Sequence, residues 1–236
     1  MNKSVRIHPS ILNADYSDIL SEIDRVSKVS DLLHLDILDG KFAPNTSFSW
    51  EQAQYIISGS AIPVDAHLMV IDSDEQGPRY AEAGCQSVTI HVESTRNISK
   101  AIKDIKSHGT RASLALKPAT QIEDYKDFLD EVDMFLIMTV EPGFGGQSFM
   151  SEMMDKVSRT RELIGNRPIW LQVDGGISKE TIEIASAAGA DTFVAGSAVY
   201  KAQDPAAMIS ILRGLAQSVQ KYVHVVPGVG VIPNRR

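Results

Sequence analysis

Short runs of Val, Ile and Leu alternate along the chain with longer stretches whose apolar residues recur at helical spacing. Apolar runs bounded by turn residues read as buried strands, and their alternation with amphipathic helices is the signature of βα units around a parallel sheet. The runs predict eight strands, over Ile7–Ile11, Leu32–Asp36, Val64–Met69, Ser87–His91, Ala112–Leu116, Phe135–Val140, Ile169–Asp174 and Thr192–Ala195. Between them, Ile98, Ala101, Ile102 and Ile105 fall at i, i+3, i+4 and i+7, as do Met208, Ile211, Leu212 and Leu215. Each set is expected to form one helix face packed on the sheet. Asp204 before Pro205 reads as an N-cap with proline at the first helical position, and Ser178 as the cap of the helix after the seventh strand. Eight strand-then-helix units in about 220 residues fit a (β/α)8 TIM barrel, typically about 250 residues, better than an open doubly wound sheet. No linker interrupts the pattern, so a single α/β domain is expected over residues 1–220. A Val/Pro/Gly-rich tail over 221–236 is placed beyond the eighth helix, where Pro227, Gly228, Gly230 and Pro233 oppose regular structure.

Composition narrows the partners. The 236 residues are 43% hydrophobic and 22% charged, which excludes a disordered chain. A formal charge of −7 with scattered Lys and Arg lacks the concentrated basic footprint that a nucleic-acid backbone or an anionic membrane requires. The longest apolar run, Met134 to Val140 with Thr139 inside it, is far too short to cross a bilayer, and the residues from Met1 to Arg6 lead straight into the first strand. Neither a transmembrane helix nor a signal peptide is expected. The single cysteine, Cys85, cannot form an internal disulfide, so the fold must stand on its apolar core, as in the reducing cytoplasm. A small-molecule partner is expected.

In a barrel of this kind the chemistry sits at the C-terminal ends of the strands. His34 and Asp36 lie two apart on the second strand, which puts both side chains on one face, roughly 6–7 Å apart along it. His67 falls in the third strand and Asp174 ends the seventh. Any one inward histidine is ordinarily a hydrogen-bonded core residue, and an aspartate before glycines is ordinarily a turn former. Together, two imidazoles and two carboxylates at one barrel mouth suit Zn²⁺, Fe²⁺, Mn²⁺ or Co²⁺, and such an ion would offset the repulsion of two close carboxylates. His8, His91, His108 and His224 are read as structural, His91 being the one that also ends a strand.

Glycines form a second constellation. Gly143, Gly145 and Gly146, with Phe144 among them, follow the sixth strand; Gly175 and Gly176 follow the seventh; Gly196 and Ser197 follow the eighth. Backbone N–H groups exposed by such loops bind anions, and barrels commonly hold phosphate after strands seven and eight.

The chain resembles the ribulose-phosphate 3-epimerase family, whose members interconvert D-ribulose 5-phosphate and D-xylulose 5-phosphate. The likeness is carried by Pro9-Ser10-Ile11-Leu12, His34-Leu35-Asp36-Ile37-Leu38-Asp39-Gly40-Lys41-Phe42-Ala43-Pro44-Asn45, Asp65-Ala66-His67-Leu68-Met69, the segment from Met138 to Phe149, Val173-Asp174-Gly175-Gly176 and Ala195-Gly196-Ser197-Ala198. The resemblance implies one divalent metal per subunit, Zn²⁺ first, held by His34, Asp36, His67 and Asp174, with Asp36 and Asp174 also the catalytic acid/base pair. It implies that Ser10 and His67 touch the sugar and that Gly143, Phe144, Gly145, Gly146, Gly175, Gly176, Gly196 and Ser197 bind substrate, chiefly its phosphate. Met69 and Met138 match two methionines of the family's site lining, whereas Leu38 stands where a third is usual. Leucine keeps the volume and loses the polarizable sulfur. A homo-oligomer is also implied.

Epimerisation next to a carbonyl removes a proton from one face and returns one to the other, so it needs two bases, and strands two and seven lie across a barrel from one another. The nearest rival is an epimerase of another ketose phosphate such as allulose 6-phosphate. A Schiff-base aldolase would use Lys117, at the end of the fifth strand, and would leave the His/Asp set without purpose. Orotidine-phosphate decarboxylase-like chemistry would need an Asp-x-Lys pair on the strands, and the strands carry none. A phosphosugar-binding barrel without catalysis is the reading outside enzymology.

Overall fold

The computed structural model describes residues 4–223. Eight parallel strands, β1 Arg6–Pro9, β2 Leu33–Leu38, β3 Val64–Met69, β4 Ser87–His91, β5 Arg111–Leu116, β6 Met134–Met138, β7 Trp170–Asp174 and β8 Thr192–Ala195, pair in the order β1-β8-β7-β6-β5-β4-β3-β2. The seam between β1 and β2 closes through a parallel bridge from Ser10 to His34 and through Ile7, whose N–H donates to Asp31 Oδ2 at 2.8 Å. This is the expected (β/α)8 barrel; β3, β4 and β8 have the predicted bounds, and the other five strands differ from theirs by one or two residues at an end.

The shifts have local causes. β1 ends at Pro9 because the Ser10 hydroxyl accepts from the Leu12 N–H and turns the chain into a 3-10 segment, Ile11–Asn13, where the pattern predicted more strand. β2 runs on past Asp36 to Leu38, paired throughout with β3 from Leu33–Val64 to Leu38–Met69.

The helices are α1 Ile19–Asp24, α2 Trp50–Gly59, α3 Ser73–Glu82, α4 Ile98–Lys106, α5 Met153–Ile164, α6 Ile182–Ala187, α7 Ser197–Tyr200 and α8 Pro205–Val223. The fifth connection is instead a 3-10 helix, Ile122–Phe128, and its apolar residues Ile122, Tyr125 and Phe128 recur every three positions, the 3-10 repeat. The α4 face is as expected, with Ala101, Ile102 and Ile105 buried. On α8 the buried stripe is Ile209, Leu212 and Ala216, flanked by Met208 and Leu215, while Ile211 is 47% exposed, so the predicted face is rotated and Ile211 is not part of it.

Asp204 caps α8 through an Oδ1 bond from the Ala207 N–H at 3.0 Å. Ser178 does not cap α6; its hydroxyl accepts from the Glu180 N–H in the turn that precedes it, and α6 begins four residues later. α8 continues to Val223, past the predicted start of the tail at residue 221, and residues 224–236, His224 among them, lie outside the described residues. No described helix is long and apolar enough to cross a membrane.

Candidate active site

Strand alternation and register build the site. In the parallel pairing of β2 with β3, His34 sits beside Asp65 and Asp36 beside His67, so four ionisable side chains share the inward face in two adjacent layers. Asp174, at the end of β7, completes the upper layer from the far side of the barrel. His34, Asp36, His67 and Asp174 converge: His34 Nε2 is 3.3 Å from Asp36 Oδ1 and 3.6 Å from Asp174 Oδ2, and His67 Nδ1 is 3.1 Å and 3.3 Å from the same two oxygens. The two ring nitrogens are 3.3 Å apart.

The surroundings tune these groups. Burial alone would raise the Asp36 carboxyl, but His34 and His67 hold it well below the usual carboxylate range. Burial would likewise lower the His34 imidazole, yet Asp36, Asp174 and Asp65 raise it well above its ordinary value. The second oxygen of Asp36 accepts from the Ser10 hydroxyl at 2.6 Å.

Above the carboxylates opens a pocket lined by Ser10, Asp36, Met69, Met138 and Asp174 and walled by the loops carrying Gly143–Gly146, Gly175–Gly176 and Gly196–Ser197. All three glycine loops therefore meet at one mouth. Two glycines there have no substitute: a Cβ on Gly175 would lie 2.6 Å from Val140, and one on Gly176, at φ +65°, would lie 2.7 Å from the backbone of Phe149. Phe144 is 53% exposed at the rim. Leu38 is buried in a small cluster with Ala43 and Met69, packed by Leu12 and Phe42, and is not among the residues that line the pocket. Lys117 points its ammonium over the Phe42 ring at 3.7 Å, outside the pocket, where an aldolase lysine would have no carbonyl to attack.

A family model described as the ribulose-phosphate 3 epimerase family matches residues 6–200. The chain belongs to that family. A ribulose-phosphate 3-epimerase of Mycobacterium leprae (strain TN) is 43% identical over 219 residues, spanning 92% of this chain and 97% of that protein. One of Bacillus subtilis (strain 168) is 35% identical over 214 residues, spanning 89% and 99%. Among solved structures, a 3-hexulose-6-phosphate synthase superposes with a TM-score of 0.67 at 20% identity, covering 89% of this chain and 99% of that one, a likeness of fold alone. The expected enzyme class, an isomerase of the epimerase type, is borne out by the family.

The donor set of this epimerase-family chain fits a metal ion. The five separations above run from 3.1 to 3.6 Å, and a regular tetrahedron with bonds of about 2.0–2.1 Å has edges of about 3.3–3.4 Å. Two imidazoles and two carboxylates also give the neutral-plus-anionic donor mix that divalent zinc, iron, manganese and cobalt accept.

Three residues near the site escaped the sequence reading. Asp65 is fully buried, and its Oδ2 lies 3.0 Å from His34 Nδ1, 3.0 Å from His8 Nδ1 and 2.9 Å from Gln172 Nε2. With its Nδ1 proton on Asp65, His34 would present the Nε2 lone pair to an ion bound in the cluster. The signal was present, since Asp65 precedes His67 by the same two residues that separate His34 from Asp36. Asn13 lies against the Gly145 and Gly196 backbones in the pocket wall. His91, read as structural, is fully buried with its Nε2 2.9 Å from that of His67, and burial pushes its imidazole down to about 4. His8 keeps its structural reading, bonded to Asp65, and His108 is an exposed surface residue.

Proposed function

We propose that the protein is a metal-dependent ribulose-phosphate 3-epimerase that converts D-ribulose 5-phosphate to D-xylulose 5-phosphate in the cytoplasm. The observation that carries this reading is the pair Asp36 and Asp174, brought from opposite sides of the barrel to the same two histidines beneath a pocket rimmed by glycine loops. His34, Asp36, His67 and Asp174 would hold the ion, Zn²⁺ first among the candidates, and when bound it would supply Lewis-acid stabilisation of the negative charge that develops on the substrate oxygens.

The protein groups do the proton work. One aspartate takes the C3 proton as the C–H electron pair moves into the adjacent carbonyl, giving an enediolate. The other, starting as the acid, gives its proton to C3 from the opposite face as the carbonyl re-forms. The two carboxyls end the turnover with exchanged protonation states, so the next turnover runs in reverse or follows a proton transfer between them. Ser10, bonded to Asp36 Oδ2, orients that carboxylate toward the pocket. Backbone N–H groups of the three glycine loops, with Ser197, bind the phosphate, and Met69 and Met138 keep water and stray proton donors from the planar intermediate.

The test is turnover of D-ribulose 5-phosphate by chelator-stripped protein before and after reconstitution with Zn²⁺, Mn²⁺, Fe²⁺ or Co²⁺, beside allulose 6-phosphate. Metal-dependent conversion that favours the pentulose supports the reading. Preference for the hexulose moves the assignment to that sugar, and turnover that is equal in stripped protein removes the metal from it.

A further inference from the structure

Behind the four-residue cluster runs a line of side chains that the reaction as written leaves unused. His67 Nε2 lies 2.9 Å from His91 Nε2, and His91 Nδ1 lies 3.0 Å from Oε2 of Glu93. The two rings are stacked, with centroids 5.0 Å apart and planes at 24°. Glu93 is held from its other oxygen: Oε1 accepts from the Lys117 backbone N–H at 2.8 Å and from the Thr120 hydroxyl at 2.5 Å. Burial would raise the Glu93 carboxyl, but these donors and His91 bring it down to about 2, so it is an ionised acceptor.

Counting protons gives the line a direction. A carboxylate can only accept, so the His91 proton sits on Nδ1. A neutral imidazole has one N–H, which leaves His91 Nε2 bare, and the 2.9 Å contact then requires the proton on His67 Nε2. In a neutral His67 the remaining nitrogen, Nδ1, then carries the lone pair, and it is the atom 3.1 Å from Asp36 Oδ1 and 3.3 Å from Asp174 Oδ2. Such a lone pair beside two carboxylate oxygens is where a shared cation binds, in place of the second ring proton that the carboxylates otherwise favour.

We propose that Glu93 and His91 are positioning residues that fix the tautomer of His67, so that its Nδ1 is presented as a metal ligand. The inference rests on the metal reading above and extends it: Asp65 sets His34 directly, whereas Glu93 sets His67 through an intervening imidazole. Glu93→Gln reverses the line with little change of shape. Lys117 and Thr120 hold the amide oxygen where Oε1 stood, so the NH2 faces His91 Nδ1. His91 must then accept at Nδ1 and carry its proton on Nε2, aimed at His67, whose own proton is driven to the ligand nitrogen.

The experiment measures Zn²⁺ affinity of the wild-type full chain and of Glu93→Gln by competition with a chromophoric chelator, together with ¹⁵N spectra of the histidine rings. Expected are a His91 proton on Nδ1 in the wild type and on Nε2 in Glu93→Gln, with Zn²⁺ affinity weakened about 10- to 100-fold in the variant. A wild-type His91 protonated on Nε2 overturns the proposal whether or not the variant folds. So does a folded Glu93→Gln with wild-type Zn²⁺ affinity, with or without the tautomer change. A wild-type protein that binds no Zn²⁺, Mn²⁺, Fe²⁺ or Co²⁺ instead sinks the metal reading, and this inference falls with it.

Discussion

Asp65 gives a demanding test because one buried oxygen serves several donors. Replacing Asp65 by Leu leaves the N–H of His34 Nδ1 without an acceptor and leaves His8 and Gln172, whose Nδ1 and Nε2 are 2.9 Å apart, only each other to bond. At about 1–3 kcal/mol for each buried group left short of a partner, one or two such groups cost about 1–6 kcal/mol, against a total stability of about 5–15 kcal/mol for a domain. The Leu variant is therefore expected to be markedly less stable than the wild type.

Asp65→Asn keeps one oxygen for the same donors and loses charge assistance, about 1 kcal/mol for each bond, partly offset by no longer burying a charge. Its amide nitrogen falls where Oδ1 now lies without a partner. A net loss of about 1–3 kcal/mol is expected, leaving a folded protein whose metal affinity drops about 10- to 100-fold because His34 is less firmly held. Urea denaturation reads the first quantity and chelator competition the second. An Asn variant with wild-type affinity, or a Leu variant as stable as the wild type, would refute the role given to this carboxylate.

Other consequences are as direct. Gly176→Ala forces a side chain into φ +65°, at about 1–2 kcal/mol, and against the Phe149 backbone at 2.7 Å, so the phosphate loop must move; KM for the phosphosugar should rise at least about tenfold with a smaller change in kcat, as expected when ground-state and transition-state binding are lost together. An unchanged KM would remove that loop from phosphate binding. Asp39 accepts from the backbone N–H groups of Lys41, Phe42 and Ile71, which outweigh its burial and lower its carboxyl from the ordinary value of 3.8. A depressed folded-state value stabilises above pH 3.8 and is lost as pH falls through the folded value, so the acid limb of the stability curve should be shallower in Asp39→Asn, and identical limbs would contradict it. Removing the metal should lower the thermal midpoint and restoring it in excess should raise it in proportion to the logarithm of free ion; a midpoint indifferent to metal would count against ligation by the folded state.

The eight strands were legible because strands covered on both faces need apolar residues at nearly every position, and Val88, Leu114, Phe135 and Val173 are indeed fully buried. Helix faces were harder. The α8 pattern admits two stripes one residue apart, and only packing decides that Ile209 faces in and Ile211 out. The 3-10 connection at Ile122–Phe128 carries its repeat openly, but an every-third pattern also fits part of an α-helix.

In the site, His34 and Asp36 could be paired from spacing alone, since both lie on one strand. The His67–His91 contact joins neighbouring strands through their lateral register, and single-strand periodicity contains no such information. Leu38 shows the same limit: alternation places it inward with Asp36, whereas its packing against Ala43 and Phe42 depends on the loop after β2, which periodicity does not describe.

The central claim is that Asp36 and Asp174 serve opposite faces of one carbon, and solvent-deuterium exchange at C3 tests it most directly. The wild type in D2O should incorporate deuterium into both ketopentose phosphates. Asp36→Asn and Asp174→Asn, each checked for bound metal, should lose epimerisation by about 10²- to 10⁴-fold. The surviving carboxylate in each should still exchange the proton on its own face, so one variant labels D-ribulose 5-phosphate and the other D-xylulose 5-phosphate. Exchange of both sugars by either single variant, or epimerisation within about tenfold of the wild type, an effect far smaller than removal of an acid/base group produces, would contradict the two-base mechanism.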